Sequence, residues 1–434
     1  MDPTLITIIV IASFFIFLMA GMPVFGALGM ASVIGILLLQ GPRGLGAVPG
    51  VIYDRLAGFT LVAVPLFILM GEIIFVSGIG ADIYVATSRW LNRMPGSLGM
   101  SSVAACAIFS ALCGVSLAGA ATIGSFAIPE MLKRGYDKSL ATGCVAASGG
   151  LALLIPPSVA LILYGVVGDE SVGKLFIGGI IPGILLAALM MGYIFVLVNI
   201  RPHLAPRSED HITWGMRFSA LANIWPVLAL IVLVLGSIYA GIATPTEAAA
   251  VGCIGAFVVG FFRKRLNWTS LSKALKETLR TSGMIYIVVI GALIFSVFIS
   301  LSGLAENVAQ LLSITGDSRI ISLLIITIVL LLLGSILDGL ALMLLTTPIF
   351  LPIIQDMGMS PIWFGIFLVR AMEVGFIHPP IGMNLFIINN IAKDVSLSRI
   401  FKGVLPFLAS DFVHLLLLIF IPATVTWLPA VLGQ

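Results

Sequence analysis

The sequence is poor in charge. Asp, Glu, Lys and Arg make up 9% of its 434 residues, and 60% are hydrophobic. Soluble domains carry about 25% charged residues, so this balance excludes a soluble globular protein. Any polar stretch long enough to fold separately is also missing. Residues 1–434 therefore read as one integral membrane domain, with many apolar runs near the roughly 20 residues that a spanning helix needs. The four cysteines, Cys106, Cys113, Cys144 and Cys253, form no close-spaced pair. That excludes a metal or redox motif and leaves them as small packing residues. A net charge of +3 is too small to suggest nucleic acid. No basic cluster precedes the first apolar run and no convincing cleavage site follows it, so residues 4–20 are expected to be a retained helix rather than a signal peptide.

What is present is proline and glycine at telling places. Pro156–Pro157 and Pro379–Pro380 are the only double prolines in the chain. Both sit inside apolar runs, and a proline within a helix costs roughly 3 kcal/mol and frees backbone carbonyls that hydrocarbon cannot satisfy. Such a break survives at membrane depth only where it lines a protein-enclosed cavity. Two apolar stretches, residues 97–131 and 318–355, are interrupted midway by 113–119 and 334–339. Each half is too short to cross comfortably, so each stretch reads as a re-entrant hairpin.

The two sets of features repeat. Pro129, Gly135, Pro156 and Pro157 recur as Pro352, Gly358, Pro379 and Pro380, and Ser77 and Gly78 recur as Ser302 and Gly303. Residues 1–200 and 220–434 therefore read as two copies of one all-α polytopic fold. The first contains a hairpin at 97–131 and a broken helix at 139–166; the second, a hairpin at 318–355 and a broken helix at 361–391. With about ten spanning helices, placing Arg89, Arg93 and Lys133 inside leaves only Arg43, Arg55, Lys174 and Arg319 outside. This bias matches the positive-inside rule, and it makes the repeats inverted, with both termini outside.

Inverted repeats with broken helices meeting near the midplane are the architecture of ion-coupled secondary transporters. Unwound carbonyls can replace water around a small cation, and half-helix N-termini can face an anion. Gly114, Gly119, Gly149, Gly150, Gly334, Gly339, Gly375 and Gly382 permit such approaches, and Ser116, Thr122, Ser148 and Ser158 offer hydroxyls, although back-bonding within a helix is the ordinary role of each. Asp338, in the second hairpin, is a cation ligand or a cap of the tip. Arg370 and Glu373, three residues apart on one helix, either neutralise each other or leave Arg370 to meet a carboxylate substrate. His378 precedes the second double proline. Glu72, Glu247, Asp411 and His414 are also intramembrane, as interhelical or subunit contacts. An aspartyl protease would need a second aspartate facing Asp338, and a serine protease built on Ser116 and His378 lacks a strand-to-helix elbow. A channel would share the broken helices, but hairpins based on opposite faces favour alternating access.

Residues 128–137, 154–158 and 175–183 with Tyr164 and Gly165, together with Asp338, Pro348, Pro352, Gly375, Pro379, Pro380, Gly382, Asn384, Leu385 and Phe386, resemble the large membrane subunit of the tripartite ATP-independent periplasmic (TRAP) transporters, the DctM-like family. The resemblance covers nearly the whole chain. It implies a sodium-driven importer of organic acids working as an elevator, in which hairpins and broken helices form a transport domain and the other helices a scaffold. It further implies a separate small four-helix membrane subunit, a periplasmic substrate-binding protein, a location in the cytoplasmic membrane, and no cofactor beyond sodium as coupling ion. Carried over by residue, sodium sites involve Gly114, Ser116, Ser148 and Gly149, then Gly334, Asp338 and Gly375. Substrate is expected between the tips, at Ser116, Ser158, Arg370 and His378. His378 stands where threonine is common in the family and Arg370 where an uncharged residue is expected.

Overall fold

Helix accounts for every regular element among the described residues of the computed structural model, which are residues 2–432 apart from Glu209, 314–317 and 379–381. Eight of these helices are long and apolar enough to cross a membrane, or nine if the bent pair Lys138–Leu154 and Val159–Gly168 is one span. The chain is a multi-pass membrane protein. Pro3–Met19, expected to span, is one of the shorter apolar helices, and Gly339–Asp356, expected as a hairpin arm, is by length and composition a candidate span in its own right.

The first hairpin is two packed helices, Ser97–Cys113 and Ser116–Lys133. Gly114 ends the first arm with φ +63°, a conformation that costs a glycine little. The break is therefore narrower than residues 113–119. In the second half, Arg319–Gly334 and Gly339–Asp356 flank a similar interruption, and the Asp338 carboxylate caps the second arm by accepting from the Ala341 amide.

The first broken helix runs Lys138–Ser148, Leu151–Leu154 and Val159–Gly168, bent by 41°. The second runs Pro361–Ile377 and resumes at Met383–Ile391. Pro379 and Pro380 lie outside the described residues, but the helix stops before them and restarts after Gly382, whose φ is +56°. Pro361–Ile377 is deeply enclosed, with every residue from Trp363 to Ile377 buried. Leu397–Phe420 crosses Lys138–Ser148 where Gly143 meets Gly403, an approach that only residues without a Cβ allow.

Around this inner group, Val24–Gln40 packs on Trp268–Ser302 and Pro245–Phe262 on Ala63–Val76. Lys273, Lys276 and Arg280 make the stretch at 267–280 basic. It is the first part of one 35-residue helix, Trp268–Ser302, about 52 Å long at 1.5 Å per residue. Residues 79–91 form a helix that buries Ile79, Ile83, Ala86 and Thr87 on one face. Its Asp82 pairs with Arg263 and Arg265.

Candidate functional site

Each hairpin tip rests on the break of its own half. A side chain at Gly114 would stand 2.7 Å from the Pro157 carbonyl oxygen, and the Val159 amide donates to the Gly114 carbonyl at 3.3 Å. In the second half a side chain at Gly375 would stand 2.6 Å from the Gly334 carbonyl oxygen. Gly114 and Gly375 are thus required by backbone approach, whatever else they do.

One side chain ties the halves together. The buried Asn384 amide, on the far side of the second break, donates to the Ser116 hydroxyl at 3.2 Å and to the Ala146 carbonyl at 3.3 Å. The same amide lies 3.3 Å from where a side chain at Gly149 would project. Asn384 therefore joins the first tip, the helix before the first break and the helix after the second.

A cavity of about 570 Å³ opens where these parts meet. Its wall includes Gly114 of the first tip, Leu153 and Val159 beside the first break, Asp338 of the second tip, and Met372 and Met383 beside the second break. Ser116 lines it too, and Glu72 closes it from Ala63–Val76. The size suits a small organic molecule, and the wall is mostly apolar with few polar groups, as ligand cavities are.

Of the residues singled out in the sequence, Gly114, Ser116 and Asp338 face this space. Ser158 does not. Its hydroxyl donates to the Leu153 carbonyl and caps Val159–Gly168 at the Leu161 amide, which fixes the break and leaves little for a ligand. Ser148 and Thr122 donate to Val145 and Ala118 carbonyls within their own helices. His378 caps Pro361–Ile377 in extended conformation and is not part of the cavity wall.

Arg370 is also absent from the wall. Its guanidinium, 2% exposed, donates to Glu373 at 2.9 Å and to Asp411 of Leu397–Phe420. Both readings of Arg370 had overlooked Asp411, 41 residues away. His414 beside it bonds the Pro182 carbonyl at 2.9 Å. Glu72, expected as an interhelical or subunit contact, instead lines the cavity, and Asn384, noted only for the resemblance, proves to be a bridge. Neither has a spacing that points to its partner.

Comparison with known proteins decides the family. The family described as tripartite ATP-independent periplasmic transporter, DctM component, matches residues 11–424. This chain belongs to that family. A C4-dicarboxylate TRAP transporter large permease protein, DctM, of Pseudomonas aeruginosa is 33% identical over 94% of this chain and 95% of its own length. The ectoine TRAP transporter large permease protein TeaC of Halomonas elongata is 31% identical over 96% of this chain and 97% of its own. The crystal structure of the YdaH transporter of Alcanivorax borkumensis superposes with a TM-score of 0.65 at 16% identity, covering 90% of this chain and 91% of that one. That last likeness speaks for the fold alone. As a TRAP large permease the chain is a transport protein, and its relatives are transporter permeases.

Proposed function

We propose that this permease imports an organic acid across the cytoplasmic membrane, driven by a sodium gradient and supplied by a periplasmic binding protein, with a small four-helix membrane subunit beside it. The observation that carries this reading is the cavity at which both tips and both breaks converge, with Asp338 and Ser116 on its wall. Sodium is assigned to the tips: Gly114, Ser116, Ser148 and Gly149 on one side, Gly334, Asp338 and Gly375 on the other. Among the described residues no three acidic, histidine or cysteine side chains cluster as a metal site. A cation here would be held by carbonyls, hydroxyls and the one Asp338 carboxylate, the hard oxygen ligands that sodium prefers, as calcium and magnesium do.

Movement as an elevator, inverted repeats at 1–200 and 220–434, and periplasmic termini belong to the same proposal. Its support is a set of backbone conformations that recur at matching places. Gly21 and Gly241, Gly78 and Gly303, and Gly135 and Gly358 all have positive φ. The substrate contact expected at Ser158, Arg370 and His378 moves to Ser116, because the cavity wall includes only the last of the four.

The test is uptake into proteoliposomes holding this chain with its small subunit. Accumulation should require both an inward sodium gradient and the binding protein. Accumulation without the binding protein would mean an independent carrier, and downhill flux alone would mean a channel.

A further inference from the structure

The cavity's charge is unexpected for a site taking dicarboxylates. Among the described residues no lysine, arginine or histidine contributes to its wall, whereas two carboxylates do, Glu72 and Asp338. If the proposed function holds, a sodium ion offsets Asp338. Glu72 then remains. It is half-buried and forms no ion pair among the described residues. The charges in electrostatic reach of Glu72 are Glu277 and Lys273, of opposite sign. A transported dianion would meet this carboxylate in a poorly hydrated space, where like charges repel strongly.

Glu72 is also fixed in place. A side chain at Gly71 would stand 2.8 Å from the Cys113 backbone, so the Ala63–Val76 helix presses directly on the first tip. On the same wall Ser116, Leu117 and Ala118 begin a helix of 18 residues whose N-cap, Val115, supplies no side-chain hydrogen bond. The second tip differs, because Asp338 caps it. One part of the wall thus offers a helix N-terminus without a side-chain cap and another offers a carboxylate.

Resting on the transport function proposed above, we infer that the cargo is zwitterionic: an organic acid that also carries an ammonium, quaternary ammonium or amidinium group, with Glu72 as the residue that selects for the cation. The substrate carboxylate turns to the start of the Ser116–Lys133 helix and its cationic group to Glu72, while the mostly apolar wall takes the carbon body.

The experiment uses this chain with its small subunit and binding protein in proteoliposomes under a sodium gradient. Radiolabelled ectoine and trimethylglycine serve as zwitterions, lactate as a monoanion and succinate as a dianion. A zwitterion should accumulate; Glu72→Gln should reduce its uptake at least tenfold, mainly through a raised KM, and Glu72→Asp should restore part of it. Accumulation of lactate or succinate with neither zwitterion taken up overturns the inference and leaves sodium-driven import standing. Zwitterion uptake that Glu72→Gln leaves unchanged overturns the role of Glu72. Uptake of none of the four, with or without sodium, overturns the transport reading and this inference with it.

Discussion

The buried group of Arg370, Glu373 and Asp411 makes two substitutions that each change side-chain volume little differ sharply in cost. One guanidinium faces two carboxylates whose side chains are 0% exposed, so with all three ionised the group carries one excess negative charge. Among the described residues, Asp411 has one carboxylate oxygen without a hydrogen-bond partner. Arg370→Met removes the only positive charge and leaves two carboxylates facing each other. Breaking a single buried pair costs about 3–5 kcal/mol, which is a large share of the 5–15 kcal/mol that stabilises a typical domain. Asp411→Asn removes the excess instead. Its carboxamide oxygen can still accept from Arg370, and the Arg370–Glu373 pair persists, so the expected cost is within about 1 kcal/mol. Unfolding of the purified protein in detergent, followed by denaturant or heat, distinguishes the two. Equal losses for both variants, or an Arg370→Met protein as stable as the parent, would refute the idea that Arg370 is committed to neutralising buried acid. Asp411→Asn losing more than Arg370→Met would refute it as firmly.

Four further outcomes follow from the structure. Gly375→Ala places a methyl group 2.6 Å from the Gly334 carbonyl oxygen and should cost about 1–3 kcal/mol through forced backbone shifts, with sodium dependence of uptake weakened. Asn384→Leu removes the bonds to Ser116 and Ala146 and leaves the Ala146 carbonyl without that donor; a loss of about 1–3 kcal/mol is expected, and a protein as stable as the parent in thermal unfolding would count against the bridge. Asp338→Ala should raise the sodium concentration needed for half-maximal uptake while membrane insertion, checked by fractionation, is unchanged. Single cysteines at Met94 and Ser318, labelled by an impermeant thiol reagent in cells, should react from opposite faces if the halves are inverted.

The tips and breaks were legible because glycine and proline cluster there, and Gly114, Gly375 and Gly382 sit where the structure needs an absent Cβ or a positive φ. Partners across the fold were not legible. Asn384 meets Ser116 over 268 residues of chain, and nothing in either local sequence marks the other. The pairing of Arg370 with Glu373 was visible as a three-residue helix spacing, but Asp411 became its second partner only because Leu397–Phe420 packs beside Pro361–Ile377. The helix Ile79–Leu91 could have been found, since Ile79, Ile83 and Thr87 recur every four residues. Its charges drew the eye away from that period.

The same distinction explains why hydroxyl side chains were poor guides and backbone breaks good ones. A serine in an apolar helix can satisfy itself on the preceding turn, as Ser148 and Thr122 do, so its presence says little about a ligand. A break has no such local remedy, and its carbonyls and amides must find partners from other elements. Val159 and Gly114 supply one such pair, and Asn384 supplies two bonds more. The first turn of Ser116–Lys133 stays without a side-chain cap and opens on the cavity. In the reading proposed above, the carboxylate of the cargo is the partner of that turn.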